Sequence, residues 1–321
     1  MACWPSVSEP DGYVALPEDG PVQQDEFLVS YVGGMNTMTT KTAAKTTKST
    51  ASAKPAKAAK VYEPVLAKPI SGKALIELLK LTTRAKSIEL KLSVPLTSQR
   101  TAVESIGFDV VEMQPREAFF FDTPDLALNR AGMALRARRT QGGTADTVIK
   151  IRPVDPAKLD EKLRALDEFK IEVDAMPGGF VCSASYKGVC DTQKVLDVAA
   201  GTLPLRKIFS KEQRAFYDAH APAGLTMDKL VVLGPTFLLK AKHQPKDFKH
   251  RLVIEMWLYP DGSRILEIST KCPPDETFQV AAEFKAYLAG HGIALSADQS
   301  AKTRTTLEFY SAKLREAKLP G

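Results

Sequence analysis

The chain has 321 residues, 44% of them hydrophobic and 26% charged, with 44 Lys and Arg against 38 Asp and Glu for a net charge of +6. This is ordinary globular composition, long enough for a sizeable core. An excess of six positive charges is too mild to name nucleic acid as the partner, and no run of 18 apolar residues marks a membrane span.

The first 34 residues carry six acids and no Lys or Arg. Residues 39–60 carry six lysines and no acid. The two blocks cancel, so the remainder of the chain holds the whole +6. Neither block has helical or strand periodicity, and neither has enough apolar surface to offset ordering entropy. Residues 1–70 are therefore expected to be a disordered leader, with Met35 or Met38 as an alternative start. Nucleic acid is expected to bind only through the basic stretch 39–60. The N-terminus lacks a basic start and an apolar core, and the four cysteines show no CxxC pairing. These features predict a reduced, cytoplasmic protein with packing cysteines.

Residues 71–321 form the body. A helix is expected from Ser71, with Ala74, Leu75, Leu78 and Leu79 at helical spacing. The period then changes to two at Ser87-Ile-Glu-Leu-Lys-Leu-Ser-Val94, and a helix over Thr97–Ile106 should stop at Gly107. Eight more strands are predicted at Phe108–Asp122, Met133–Thr140, Thr147–Arg152, Glu168–Asp174, Gly179–Lys187, Lys229–Lys242, Arg251–Leu258 and Arg264–Lys271. Short helices are predicted at Pro124–Ala131 and Asp191–Ala200. Ser210-Lys-Glu-Gln213 spells a capping box, and Glu276–Ala289 and Asp298–Lys318 read as closing helices. Many strands with hairpin turns imply an antiparallel sheet closing on itself with helices outside, an α+β fold.

Residues two apart on a strand share a face. That rule places Ser87, Glu89 and Lys91 together, and likewise Arg136 with Arg138, Lys150 with Arg152, and Glu168 with Lys170 and Glu172. It also groups Lys240 with Lys242, Arg251 with Glu255, and Glu267 with Ser269 and Lys271. One such strand is most simply a sheet with one face in water. Seven in succession suggest a charged lumen. Packed like charges must be neutralised: Lys and Arg by a polyphosphate, the carboxylates by Mg²⁺ or Mn²⁺.

Ser87-Ile-Glu89-Leu-Lys91 resembles the ExExK strand of the CYTH, or triphosphate tunnel, family. Phe119 through Arg138, FFFDTPDLALNRAGMALRAR, is similar to that family's YFDTxxxxLxxxGxxLRxR run. Val148-Ile-Lys150-Ile-Arg-Pro153 resembles its LKxP strand and Lys240-Ala-Lys242 its KxR strand. Glu255, Asp261-Gly262 and Glu267-Ile-Ser269 resemble its late acidic strand, turn and ExE strand. The resemblance implies a closed eight-stranded antiparallel β tunnel with peripheral helices, a triphosphorylated small-molecule substrate, and Mg²⁺ or Mn²⁺. It implies Lys91, Arg136, Arg138, Lys150 and Lys242 as phosphate-binding residues. Glu89, Glu172, Glu255 and Glu267 are implied as metal ligands, and Lys240 as the residue that activates the attacking water. Three departures each remove a carboxylate: Ser87, Lys170 and Ser269. A helical insert at about 189–228 stands where the family runs an arginine-bearing strand, with Arg214 as the candidate to supply that arginine. The activity so implied is metal-dependent triphosphate hydrolysis. A polyphosphate- or nucleotide-binding tunnel without turnover and an adenylate cyclase remain as alternatives.

Overall fold

The computed structural model describes residues 76, 79–81, 85–177, 179–293 and 302–317. The leader and Ser71 lie outside the described residues. Nine strands are present: β1 Ser87–Val94, β2 Gln114–Asp122, β3 Met133–Thr140, β4 Ala145–Ile151, β5 Phe169–Met176, β6 Gly179–Cys190, β7 Val231–His243, β8 Leu252–Leu258 and β9 Arg264–Cys272. The helices are α1 Gln99–Ile106, α2 Ala127–Arg130, α3 Glu161–Arg164, α4 Thr192–Ala199, α5 Lys211–His220, α6 Thr277–Gly290 and α7 Lys302–Glu316. Among the described residues, no helix is long and apolar enough to cross a membrane.

The strands close into a barrel in the order β1-β5-β6-β4-β3-β2-β7-β8-β9. This corrects the eight-stranded, wholly antiparallel expectation. All nine strand segments read from the alternation are present, and β1 pairs with β5 in parallel while the other pairings are antiparallel. β1 reaches the barrel ahead of the β2–β4 meander and must slot between β5 and β9, both ends of which are already set by hairpins. That position makes one parallel contact.

The barrel inverts the usual arrangement. Its apolar strand faces point outward and are covered. Ile88, Leu90, Leu92 and Val94 alternate as buried residues along β1. They join one core with α1, α4, α5 and α6 through Ala102, Val195, Phe216 and Phe284. α5 docks through Phe216, whose ring meets Phe169 at 5.6 Å and Tyr186 at 5.8 Å between centroids. The predicted capping box on Ser210 and Gln213 is formed. Buried Gln213 goes further, donating to the Tyr186 carbonyl at 3.2 Å and accepting from the Thr147 hydroxyl at 3.0 Å. The helical insert therefore lies on the outside of the barrel, and Arg214 with it. Its guanidinium donates to the Phe209 carbonyl at 2.6 Å and the Arg206 carbonyl at 3.3 Å, fastening the insert to itself rather than entering the lumen. The expectation that Arg214 supplies a tunnel arginine is corrected.

The longest recognisable run, residues 119–138, divides into architecture and site. The Asp122 carboxylate is buried and accepts the backbone N–H groups of Thr123 (2.7 Å), Leu128 (2.8 Å) and Asn129 (2.9 Å), folding the β2–α2 turn onto the strand end. Gly132 turns α2 into β3 with φ +74°, and a Cβ there would stand 2.2 Å from the Arg152 carbonyl oxygen. Gly132→Ala is expected to cost roughly 2–3 kcal/mol. In a body of this size that lowers the thermal midpoint by about 5–10 °C, which a melting curve checks.

A second, smaller core lies inside the barrel at one rim. Ala118, Phe120, Leu233, Leu238 and Trp257 come from lumen-facing positions of β2, β7 and β8 and pack with Leu307 of α7. α7 is pinned there by three contacts. Tyr259 Oη meets Thr306 Oγ1 at 3.1 Å, Ser311 Oγ donates to the Pro124 carbonyl at 2.7 Å, and Tyr310 Oη donates to the Pro235 carbonyl. The last helix thus plugs one end of the barrel. At the other end of β7, Phe108, Gln114, Arg116, Lys240, Lys242 and His243 border an open cavity of about 440 Å³.

Candidate functional site: a charged lumen closed at one end

The lumen is lined by the polar positions of the alternating strands, and strand register decides which charges meet. Across β1 and β5, Glu89 stands beside Asp174. Asp174 binds two lysines, Lys91 and Lys150, each at 2.8 Å. Lys91 also reaches Glu89 at 3.2 Å. Burial pushes the Asp174 carboxyl up, but Lys91 and then Lys150 more than reverse this, and it stays charged far below the usual carboxylate range. Burial acts on Glu89 in the same sense and Lys91 and Lys271 overcome it, leaving its carboxyl lowered.

Across β7, β8 and β9, Lys240 stands opposite Glu255, and Glu255 opposite Glu267. Lys240 Nζ donates to Glu255 at 2.8 Å. The other oxygen of Glu255 accepts from Trp257 Nε1 at 3.3 Å and from Lys302, the first residue of α7. Lys302 Nζ also donates to Glu267 at 2.6 Å and lies 5.6 Å from the centroid of the Trp257 ring. Burial depresses Lys240, and Arg138 and Arg116 add to this while Glu255 opposes it; the net direction is down. Glu172 pairs with Lys271.

The third group is guanidinium-rich. Arg138 has a partner, Asp146, at 2.9 Å. Among the described residues, Arg116 has only the Gln114 amide oxygen, at 2.6 Å. Arg136 has none among the described residues, and its Nε is buried without a hydrogen-bond acceptor. Burial, with Arg138 nearby, pushes Arg136 down to about 10. A buried cation without an anion is costly unless a ligand supplies one.

The site residues expected from sequence are thus brought to the lumen as three clusters. Lys91, Glu89 and Lys150 meet around Asp174. Lys240, Glu255 and Glu267 meet around Lys302. Arg136 and Arg138 lie on one face of β3. Glu172 joins the edge of the first cluster through Lys271, which also reaches Glu89 at 3.8 Å, and Lys242 is exposed at the open mouth, apart from these clusters. Ser269 does not replace its missing carboxylate; its hydroxyl donates to Glu89 at 3.3 Å and orients it. Lys170 costs no acidic pair, because the acidic positions on β5 are Glu172 and Asp174, two apart on one face.

Sequence reasoning missed Asp174, Arg116 and Lys302. Alternation continued two residues past Glu172 would have found Asp174. Arg116 sits on β2 in register with Leu238 of β7, and the same rule applied backward from Ala118 finds it. Nothing in the strand pattern marks Lys302, because it arrives from a helix.

The donor set suits a hard divalent cation, since the lumen offers carboxylate oxygens. Among the described residues no three His, Cys, Asp or Glu side chains converge as a metal site. The carboxylates come in pairs, Glu89 with Asp174 and Glu255 with Glu267. A pair is sufficient for Mg²⁺ or Mn²⁺ when waters and substrate phosphates complete the shell. The Glu255–Glu267 pair already draws a cation, the Lys302 ammonium, so the residues fit.

A CYTH domain model matches residues 85–269. Among solved structures, the chain is similar to a candidate adenylate cyclase from Bacillus halodurans, with TM-score 0.48 and 15% identity, over 68% of this chain and 97% of that one. It is also similar to a candidate adenylyl cyclase from Hippeastrum described as having a dominant triphosphatase activity, with TM-score 0.49 and 19% identity, over 73% and 97%. A candidate adenylate cyclase from Vibrio parahaemolyticus gives TM-score 0.37 and 12% identity, over 67% and 95%. No curated protein sequence matches the chain.

Proposed function

The chain belongs to the CYTH domain family, and on that premise we propose that it hydrolyses a triphosphate, inorganic or small organic, in a metal-dependent reaction inside its lumen. The observation that carries this reading is Arg136, whose Nε is buried without an acceptor and whose guanidinium forms no ion pair among the described residues, beside Arg116, whose partner there is an amide. Together with Arg138 these groups form a preorganised site for phosphate oxygens, which guanidinium groups bind in bidentate fashion. Lys91 and Lys150 continue the cationic wall toward Asp174.

In this reading the open mouth admits the substrate and α7 closes the far end. Arg116, Arg136 and Arg138 hold the phosphates and stabilise charge on the transferring oxygens. Lys240 orients the attacking water and, in its neutral amine form, which burial favours, accepts the water's proton to become the ammonium. Mg²⁺ or Mn²⁺, when bound to Glu255 and Glu267 or to Glu89 and Asp174, supplies charge neutralisation between phosphates. Water attacks the terminal phosphorus in line, and the P–O bond to the remaining diphosphate breaks.

The test is phosphate release by the full chain from inorganic triphosphate and from ATP, with Mg²⁺, with Mn²⁺ and with EDTA. Release should require metal. Lys240→Ala should lower it by about 10²–10⁴-fold, the usual weight of a positioned proton acceptor, and Glu89→Gln should raise the metal concentration needed. One observation favours a second reading, a tunnel that binds polyphosphate or nucleotide without turnover: Glu89, Asp174, Glu172, Glu255 and Glu267 each already engage a lysine. Under that reading triphosphate raises the melting temperature and no phosphate is released.

A further inference from the structure

We propose that Lys302 is a built-in counter-cation occupying the Glu255–Glu267 metal seat, so that divalent metal and the first turn of α7 compete for the same two carboxylates. Three observations carry this. The ammonium contacts both carboxylates at once, donating to Glu267 at 2.6 Å and also to Glu255. Those two residues are direct register partners on adjacent strands, so their oxygens converge on one point. And the lysine comes from outside the sheet: α7 delivers it from a rim where the helix is held by Leu307, Thr306, Tyr310 and Ser311.

A lysine on one of the strands would be a fixed part of the wall. Lys302 reaches the seat from the rim on a long flexible side chain, so its ammonium can leave by changing rotamer while its backbone carbonyl stays held by Thr306 Oγ1 at 2.8 Å and Tyr259 Oη at 3.4 Å. The seat then has two states. With no metal, Lys302 pairs with both carboxylates, sharing Glu255 with Lys240, and covers the Trp257 face. With metal, two charges replace one, and the ammonium is freed toward the lumen, where phosphate oxygens can take it. The arrangement keeps the acidic pair from standing uncompensated in a buried site, at the cost of metal affinity. The inference rests on the metal role proposed for Glu255 and Glu267 but not on turnover.

The test is Mn²⁺ binding to the full chain, read by the loss of the free-ion electron paramagnetic resonance signal, for the wild type, Lys302→Met and Lys302→Gln. Each variant should bind Mn²⁺ at least about tenfold more tightly, the equivalent of releasing one charge-assisted hydrogen bond. Adding Glu267→Gln to Lys302→Gln should remove the gain. Equal or weaker binding by both variants overturns this inference and leaves the metal requirement standing. No Mn²⁺ binding by any of the proteins overturns both.

Discussion

Asp174→Asn lowers the stability of the folded protein by about 3–5 kcal/mol, the cost of removing one partner from a buried ion cluster. The carboxylate is almost fully buried, with only 4% of its side chain exposed, and it is the shared anion of two lysines that are themselves largely covered. Asparagine keeps the shape and removes the charge, leaving Lys91 and Lys150 side by side, with Glu89 the ion-pair partner that Lys91 retains among the described residues. The pH dependence follows in sign. The folded-state carboxyl is held below its unfolded value, so its stabilisation is complete above about pH 4 and fades as pH falls further. Urea unfolding at pH 7 should show the full gap between the two proteins, and the gap should shrink as the pH is taken below about 4. Inorganic triphosphate should raise the melting temperature of the variant more than that of the wild type, because it offers the two lysines a new anion. A gap below about 1 kcal/mol at pH 7 would mean that water solvates those lysines.

Arg136→Gln should have the opposite profile: little or no loss of stability, and a loss of triphosphate turnover of about 10²–10³-fold, the size expected on deleting one preorganised donor to the transferring phosphate. Among the described residues no carboxylate forms an ion pair with this guanidinium, and its Nε is buried without an acceptor; Asp146 and Glu255 act on it only at longer range and do not offset burial and the neighbouring Arg138, so the folded protein without ligand gains little from its charge. Melting curves and phosphate-release kinetics on the same preparations check both halves. A variant that melts lower and turns over normally would make Arg136 a structural residue. The pairing of these two substitutions separates the charges that hold the barrel together from those that wait for substrate.

Period-two alternation made most of this legible before any coordinates. Ile88, Leu90 and Leu92 opposite Glu89 and Lys91 define which side of β1 is covered, and the same logic fixed the lumen side of β3, β4, β7, β8 and β9. It even counted the strands correctly; the expectation of eight came from family resemblance, whereas the nine segments are in the alternation itself. What it left out has a physical reason in each case. The parallel pairing of β1 with β5 is decided by barrel closure, a long-range constraint that no local pattern encodes. The place of the helical insert depends on Phe216 meeting Phe169 and Tyr186, contacts between segments far apart in the chain. Arg214 looked like a tunnel arginine because charge was needed and charge was nearby, yet its helix lies outside the barrel. Lys302 escaped because strand alternation says nothing about side chains that a helix inserts from the rim. Asp122 and Gly132, two matched letters of the resemblance, shape the β2–α2–β3 connection, and from that run Arg136 and Arg138 carry the charge that faces the lumen.

As proposed, this lumen breaks the terminal phosphoanhydride bond of a triphosphate. ³¹P nuclear magnetic resonance of the full chain incubated with ATP, and separately with inorganic triphosphate, each with Mg²⁺ or Mn²⁺, reads that cleavage most directly. The expected products are orthophosphate with ADP from the first and orthophosphate with pyrophosphate from the second, both abolished by EDTA. Unchanged triphosphate resonances, or pyrophosphate appearing with cyclic AMP from ATP, would contradict the proposal.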